Sequence, residues 1–157
     1  MVLQTKAKLK QLADKRNASH PELASITEIQ QLDATHLPFA DNTFDTIVDT
    51  FGLCSCAGKD VSKLLGEMQR VCKPDGKILL LEHGRSHQQW LSNVLDRHAD
   101  RHAQRWGCWW NRDVEKLVAE SGIHIESNTK YHFGSTYSIV ARPHKQSVSP
   151  PTQSQQP

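Results

Sequence analysis

The chain has 157 residues, with 19 Lys and Arg against 17 Asp and Glu, giving a formal net charge of +2. This length predicts one domain with a substantial core, and the balanced charge gives no reason to expect a nucleic-acid partner. The sequence contains no run of about 20 apolar residues that would predict a transmembrane helix. Its four cysteines lack the spacing of a disulfide framework, so we expect reduced thiols.

The first part of the chain predicts a helix, two strands and a second helix. Residues 2–16 carry an apolar stripe with lysines mostly elsewhere, which is typical of an amphipathic helix. Residues 25–31 are a short strand candidate, residues 37–42 a loop, and the β-branched residues 45–53 a buried strand. Asp60 is expected to cap the next helix. Its apolar residues recur at helical spacing, namely Val61, Leu64, Leu65, Met68 and Val71.

The second part predicts a strand, two helices and an antiparallel strand pair. Residues 73–76 (KPDG) end the helix in a turn, and residues 77–82 (KILLLE) predict a parallel strand covered on both faces. A polar helix is predicted over residues 87–105, followed by an aromatic break over residues 106–110. The next helix is capped by Asn111 and ends at Ser121-Gly122. Residues 123–133 and 135–141 predict paired strands around Gly134, and residues 143–157 a disordered tail.

This alternation of helices and strands determines the expected fold class. It predicts an α/β sandwich with a mostly parallel sheet and an antiparallel pair of strands at its carboxyl end. We expect a single α/β domain over residues 1–142, followed by the disordered tail.

Several motifs, taken together, resemble class I S-adenosylmethionine-dependent methyltransferases of the ubiquinone/menaquinone-biosynthesis type (methyltransferase type 11). They are Asp33-Ala34, Leu37-Pro38-Phe39, Phe44-Asp45, the helix end Val71-Cys72-Lys73-Pro74-Asp75-Gly76-Lys77, and Leu79-Leu80-Leu81-Glu82-His83. Three further segments resemble a fungal mitochondrial membrane-anchored subgroup and also the microsomal thiol-methyltransferase group. These segments are residues 50–55, residues 82–85 and residues 106–108.

The resemblance covers roughly residues 1–142 and implies a Rossmann-like sheet with strand order 3-2-1-4-5-7-6. It also implies a glycine-rich G-x-G loop after the first strand, but no two glycines in this sequence lie closer than six residues. The chain therefore resembles an N-terminally truncated member that lacks the first two strands. Residues 45–53 would then form a sheet edge, and we expect weak or no cofactor binding by this polypeptide alone.

The resemblance also implies roles for individual residues in holding S-adenosyl-L-methionine. Asp33 would accept a hydrogen bond from the adenine amino group, and the Ala34 N–H would donate to the ring. Thr50, Phe51 and Leu53 would pack against the cofactor. Cys54 and Ser55 would contact the methyl acceptor. His83 follows a strand, where ligands of open α/β sheets lie, and its imidazole is a candidate base. Each residue also has a purely structural alternative. Asp33 would fix a turn at the end of a strand, residues 50–55 would only connect a strand to a helix, and His83 would make a structural hydrogen bond.

The remaining chemically interesting residues predict no metal site. Structural zinc sites use pairs of cysteines with two to four residues between them, but only one residue lies between Cys54 and Cys56. Cys72 and Cys108 form no second pair. His98 and His102 lack the glutamate of an H-E-x-x-H motif and predict a solvated helix face. The three tryptophans of residues 106–110 are expected to cover a core, with an acceptor pocket or a lipid interface as alternatives.

Two functions follow from this reading. The first is an S-adenosylmethionine-dependent methyltransferase acting on an O, S or C nucleophile of a small-molecule or lipid-like acceptor. The alternative is a catalytically inactive methyltransferase fragment that acts as a binding module or is an incomplete gene product. Whether the chain is an enzyme is left open because the glycine loop is absent. A mitochondrial location follows from the subgroup resemblance alone, and a membrane would be reached only through an upstream segment.

Overall fold

A computed structural model describes residues 30–144 of the chain. The chain divides into two compact units, residues 1–33 and residues 34–157, and the second contains every helix and strand described below. The predicted helix over residues 2–16 and the tail beyond residue 144 lie outside the described residues, as does most of the strand candidate over residues 25–31. The domain boundary at residue 142 stays a prediction.

The described elements follow the predicted order from the second strand candidate, residues 45–53, onwards. They are β1 (Phe44–Thr50), α1 (Val61–Val71), β2 (Cys72–His83), α2 (Gln89–Trp106), α3 (Val114–Glu120), β3 (His124–Tyr131) and β4 (Thr136–Arg142). Two short 3-10 helices, Gly58–Asp60 and His132–Gly134, precede α1 and connect β3 to β4. Residues 37–42 form the predicted loop.

The strands form one sheet in the order β1-β2-β4-β3. β1 and β2 are parallel, whereas β4 is antiparallel to both β2 and β3. This order matches the last four positions of the 3-2-1-4-5-7-6 arrangement and confirms the α/β fold class. The expectation of a mostly parallel sheet is met only approximately, since the short β3–β4 connection makes those neighbours antiparallel.

β1 is shorter and more exposed than the predicted buried strand over residues 45–53. It ends at Thr50, because Phe51 has a left-handed φ of 60° and turns the chain. None of its side chains is fully buried, and Val48 is 64% exposed, so the prediction of a buried strand is wrong. Within residues 30–144, β1 pairs only with β2, which agrees with the edge position that the resemblance implies.

α1 covers one face of the sheet, as its apolar spacing predicts. All five predicted residues of its apolar stripe are buried, and four of them, Val61, Leu64, Leu65 and Met68, belong to one core cluster with Ile78 and Leu80 of β2 and Ile139 of β4. α1 ends at Val71, and the chain enters β2 at once. The predicted KPDG turn is instead an irregularity within the strand pair, because Phe44 pairs with Cys72 while Thr46 pairs with Lys77.

Two predicted helix caps differ from the structure. Asp60 occupies the N-cap position of α1, but its carboxylate pairs with Lys63 at 3.3 Å and makes no capping hydrogen bond. The N-cap of α3 is Asp113, whose carboxylate accepts a hydrogen bond from the Lys116 N–H, and not Asn111. Asn111 donates to Asp96 at 3.0 Å instead, a partner contributed by α2 that local spacing did not indicate.

Candidate functional site

The candidate site lies at the edge where β1 and β2 end. Because these strands are parallel and Thr50 pairs with Leu81, their carboxyl ends reach the same edge of the sheet. The loop over residues 51–56 follows β1, and Glu82 and His83 close β2. The structure therefore brings together six residues that the sequence singled out: Thr50, Phe51, Leu53, Cys54, Ser55 and His83.

Glu82 anchors the loop over residues 51–56. Its side chain is fully buried, and its carboxylate accepts hydrogen bonds from the N–H groups of Gly52 and Cys54, each at 3.0 Å. Burial and the neighbouring Asp49 carboxylate raise the pKa of Glu82 to about 7. In the sequence, Glu82 stands out only as the neighbour of His83. The available signal was a lone acid closing the apolar run of β2.

Asp49 and Gly52 are packed against each other below this loop. A Cβ atom on Gly52 would lie 2.1 Å from Oδ1 of Asp49, so the loop has room for no side chain there. Burial raises the pKa of Asp49 as well. Two buried carboxyl groups next to each other favour a state in which one of them keeps its proton. The hydrogen bond between the two side chains raises the pKa of Glu82 and opposes the rise at Asp49, so the proton stays on Glu82.

Phe51 and His83 form the exposed surface of the site. Their ring centroids are 4.5 Å apart, and Phe51 remains 38% exposed although its backbone is in the left-handed region. Such backbone strain in a bulky residue is concentrated at functional sites. Burial, followed by the cationic forms of His102 and His132, lowers the pKa of His83. The imidazole is therefore neutral at neutral pH and has a nitrogen free to accept a proton.

The other predicted residues of the loop differ in their exposure. Leu53 is fully buried in the core, and Cys54 is only 1% exposed. Ser55 is exposed, and its hydroxyl donates to the Phe51 carbonyl at 2.8 Å. Phe51 and Ser55 are thus the exposed residues among these, while the buried side chains of Leu53 and Cys54 hold the loop in place.

Asp33 and Ala34 lie at the boundary between the two compact units, and both are exposed. Ala34 belongs to the second unit, where it begins a turn with Thr35. The adenine contacts that the resemblance assigns to these two residues stay a prediction.

The segment over residues 107–113, between α2 and α3, contacts the loop over residues 51–56. The sequence did not predict that this segment belongs to the site. The Arg112 guanidinium donates to the carbonyl oxygens of Leu53 and Cys56, and the Trp109 N–H donates to the Cys54 carbonyl at 2.7 Å. Cys108 brings its Sγ to 3.2 Å from the Sγ of Cys54. These contacts join residues more than 50 positions apart, so they depend on tertiary packing, and no local sequence pattern predicts them.

Most of the tryptophan cluster does not cover a core. Trp106 is 66% exposed, and Trp110 is half-buried with its ring stacked 3.6 Å from that of His102. His102 is thus not part of a plain solvated face. These side chains line a cavity of about 330 Å³ on α2, together with His98, Arg101 and Arg105.

Among residues 30–144, no helix combines the length and the apolar character needed to cross a bilayer.

Comparison with known families and proteins agrees with this geometry. A family model described as a methyltransferase domain matches residues 2–80, just over half of the chain. The mitochondrial methyltransferase OMS1 of Saccharomyces cerevisiae is 40% identical over 99 residues, covering 63% of this chain and 21% of the yeast protein. The ubiquinone/menaquinone biosynthesis C-methyltransferase UbiE of Cellvibrio japonicus is 46% identical over 102 residues, covering 63% of this chain and 40% of UbiE.

Solved structures show the same fold. A SAM-dependent methyltransferase from Methanosarcina mazei superimposes with a TM-score of 0.55 at 21% identity, covering 84% of this chain and 76% of that one. A protein from Pyrococcus horikoshii gives a TM-score of 0.57 at 18% identity, covering 85% and 67%. The chain thus spans 21% and 40% of the lengths of OMS1 and UbiE. The predicted cofactor, S-adenosylmethionine, agrees with the matching family. The Methanosarcina protein is itself described as SAM-dependent.

Proposed function

Because this chain belongs to the methyltransferase domain family, we propose that it contributes the cofactor- and acceptor-facing edge of an S-adenosylmethionine-dependent methyltransferase. The observation that carries this proposal is the edge shared by β1 and β2, where Phe51 and His83 are in ring contact above a loop anchored by Glu82. Ligands of open α/β sheets bind at edges of this kind.

The residues present fit one part of such a cofactor. Phe51 offers an exposed aromatic ring that suits an adenine ring. The contacts of Asp33 and Ala34 with adenine are proposed from the family resemblance, since a carboxylate accepts hydrogen bonds from an amino group. Thr50 and Leu53 would support the same side of the site. S-adenosylmethionine supplies a methyl group already activated on a positively charged sulfur. The chain's own contribution is then to position that methyl group and to exclude water from it.

On the acceptor side, we propose that His83 receives a proton from the acceptor. Its imidazole is neutral at neutral pH and half-buried, so it can accept a proton from a hydroxyl or thiol as the methyl group is transferred. Cys54 and Ser55 would border the acceptor through their loop. UbiE is named for a ubiquinone-related C-methylation and OMS1 for mitochondria, which supports a small-molecule, lipid-like acceptor and a mitochondrial location as finer proposals.

The test uses the 157-residue chain with methyl-labelled S-adenosylmethionine. Photo-crosslinking would measure cofactor binding, and label transfer to a panel of hydroxyl, thiol and quinol acceptors would measure activity. We expect Phe51→Ala to reduce crosslinking and His83→Asn to reduce transfer by at least roughly 100-fold, the low end for acid–base groups. Glu120→Gln, which alters only an exposed ion pair with Lys116, is the matched control.

The same two measurements, crosslinking and label transfer, also test the alternative function, a catalytically inactive fragment that acts as a binding module. Crosslinking at Phe51 without label transfer to any acceptor would support that alternative, a binding module. Absence of both crosslinking and transfer in the wild-type chain would contradict the proposed function.

A further inference from the structure

Three potential metal ligands converge beside the site from separate parts of the fold. Cys54 comes from the loop after β1, His83 from the end of β2, and Cys108 from the segment after α2. The Sγ of Cys108 lies 3.2 Å from the Sγ of Cys54 and 3.7 Å from Nδ1 of His83. All three ligand atoms lie within 4.8 Å of one another. Both thiols are buried, at 1% and 8% exposure.

We propose that Cys54, His83 and Cys108 bind one thiophilic divalent cation, zinc by preference. Zinc binds cysteine sulfur at about 2.3 Å and histidine nitrogen at about 2.0–2.1 Å in tetrahedral geometry, which places neighbouring ligand atoms roughly 3.5–3.8 Å apart. The observed sulfur–nitrogen separation of 3.7 Å lies within that range, and the two sulfurs need to separate by only a few tenths of an ångström.

The backbone around these ligands is held in place by hydrogen bonds. Cys54 donates its N–H to Glu82 at 3.0 Å and accepts the Trp109 N–H at 2.7 Å. Arg112 binds the carbonyl oxygens on either side, those of Leu53 and Cys56. Outer contacts of this kind orient metal ligands and are expected in metal sites. The Cys54 and Cys108 segments are thus tied together independently of the two thiols.

The ligand set also determines which cation it selects and how binding depends on pH. Thiolate and imidazole ligands favour zinc over magnesium or calcium, which prefer oxygen. Cysteine must lose its proton to bind, so uptake of the cation releases about two protons and tightens as pH rises. The group contains three ligand side chains from residues 30–144, which leaves a fourth position for water or another donor.

Local spacing pointed away from a metal because it considers only cysteines close together in sequence. The pair that meets is Cys54 with Cys108, whereas Cys56, two residues away, lies outside the three-residue group. Cys56 is therefore a matched control in the same loop with the same chemistry.

The experiment measures metal binding by the reduced, metal-free 157-residue chain. Zinc affinity is measured by competition with a chromophoric chelator, and cobalt is added as a spectroscopic probe of thiolate coordination. We expect one cation per chain, sulfur-to-cobalt charge-transfer bands and release of about two protons. Cys54→Ser, Cys108→Ser and His83→Ala should each lower affinity by more than the roughly 10–100-fold typical of an outer-contact change. Cys56→Ser should bind as the wild type does.

Circular dichroism would show whether a variant fails to fold. His83→Cys then provides a second test, because its third thiolate should restore cation binding and change the cobalt spectrum. Absence of binding by the wild-type chain, equal loss in Cys56→Ser, or a cobalt spectrum without sulfur bands would overturn the proposal. So would conversion of Cys54 and Cys108 to a disulfide in zinc-containing buffer, with loss of two titratable thiols. None of these measurements depends on methyl transfer. The two roles of His83 exclude each other, because an imidazole that binds the cation through Nδ1 has no nitrogen left to accept a proton, so the base role in the proposed function applies to the metal-free chain.

Discussion

The two faces of the sheet differ in how they are covered by residues 30–144. The packed face, formed by Ile78, Leu80, Ile139 and Ala141, lies against α1 and α3 and is buried. The open face, formed by Val48, Leu79, Leu81 and Val140, is half-buried or exposed and lines a shallow groove. Alternate residues of one apolar strand thus have different environments.

This difference shows that an apolar strand does not by itself reveal which of its faces is covered. The run Ile78-Leu79-Leu80-Leu81 predicts burial on both sides, since parallel strands between two layers of helices are apolar throughout. Among the described residues only one side is packed. The packed face carries the structural core and, at its end, the Glu82 anchor of the site.

The largest expected effect compares two neighbouring leucines of β2. Leu80→Ala should lower the free energy of unfolding by about 2–5 kcal/mol, because it leaves a cavity in the packed face. Leu79→Ala removes the same atoms from the half-buried open face and should have less than half of that effect. Urea unfolding of the two variants measures the difference. Equal losses would show that the open face is also packed, and the comparison would fail.

The second prediction concerns the pH dependence of stability at the carboxyl end of the packed face. The folded-state pKa of Glu82, about 7, lies above its ordinary value of 4.5, so the folded chain keeps a proton that the unfolded chain loses. Stability contributed by this group is therefore complete below about pH 4.5 and falls as pH rises to about 7, by up to about 3 kcal/mol.

Glu82→Gln should flatten this decline, since the amide does not ionise. Unfolding free energies measured at several pH values between about 4.5 and 8 would test it, with the exposed Glu120→Gln as the control that keeps the wild-type slope. An unchanged slope in Glu82→Gln would assign the pH dependence to another group.

The third prediction tests how closely the loop is packed against Asp49. Gly52→Ala should destabilise the fold by about 1–3 kcal/mol, because the new Cβ would lie 2.1 Å from Oδ1 of Asp49. Gly58→Ala meets nothing within 4 Å and should change stability by less than about 0.5 kcal/mol. Combining Gly52→Ala with Asp49→Ala should give a smaller loss than the sum of the single changes. Additive losses in this cycle would mean that the two residues do not clash.

The smallest effect on stability is expected at Phe51. Phe51→Gly relieves a left-handed backbone, worth about 1–2 kcal/mol, but increases the entropy of the unfolded chain and removes the ring contact with His83. The net change should stay within about 1 kcal/mol. The pKa of His83 should rise towards its ordinary value as the ring becomes more solvated, which an NMR titration would measure.

Phe133→Gly is the matched control for Phe51→Gly. Phe133 has a similar φ of 56° but contacts Trp90, so its replacement relieves a comparable strain and leaves the Phe51–His83 contact in place. A larger rise in the pKa of His83 in Phe133→Gly than in Phe51→Gly would show that the Phe51 ring does not shield the imidazole.

The sequence by itself determined the order of elements over the described residues and the family. The apolar spacing of α1, the run in β2 and the glycines at 107, 122 and 134, all with positive φ, are local signals that read correctly because they depend on a few neighbouring residues. The motifs around Asp33, Leu37-Pro38-Phe39 and residues 71–77 indicated the methyltransferase family in the same way, and the strand order agrees.

Only the tertiary structure decided what the site is made of. It showed that no side chain of β1 is fully buried, that Glu82 holds the loop after β1, and that Asp113 rather than Asn111 caps α3. It also brought Cys108 to Cys54 and His83 across 54 and 25 positions of sequence. These features depend on which segments pack together, and the free energy that decides packing comes from burial and hydrogen bonds between residues that are distant in the chain.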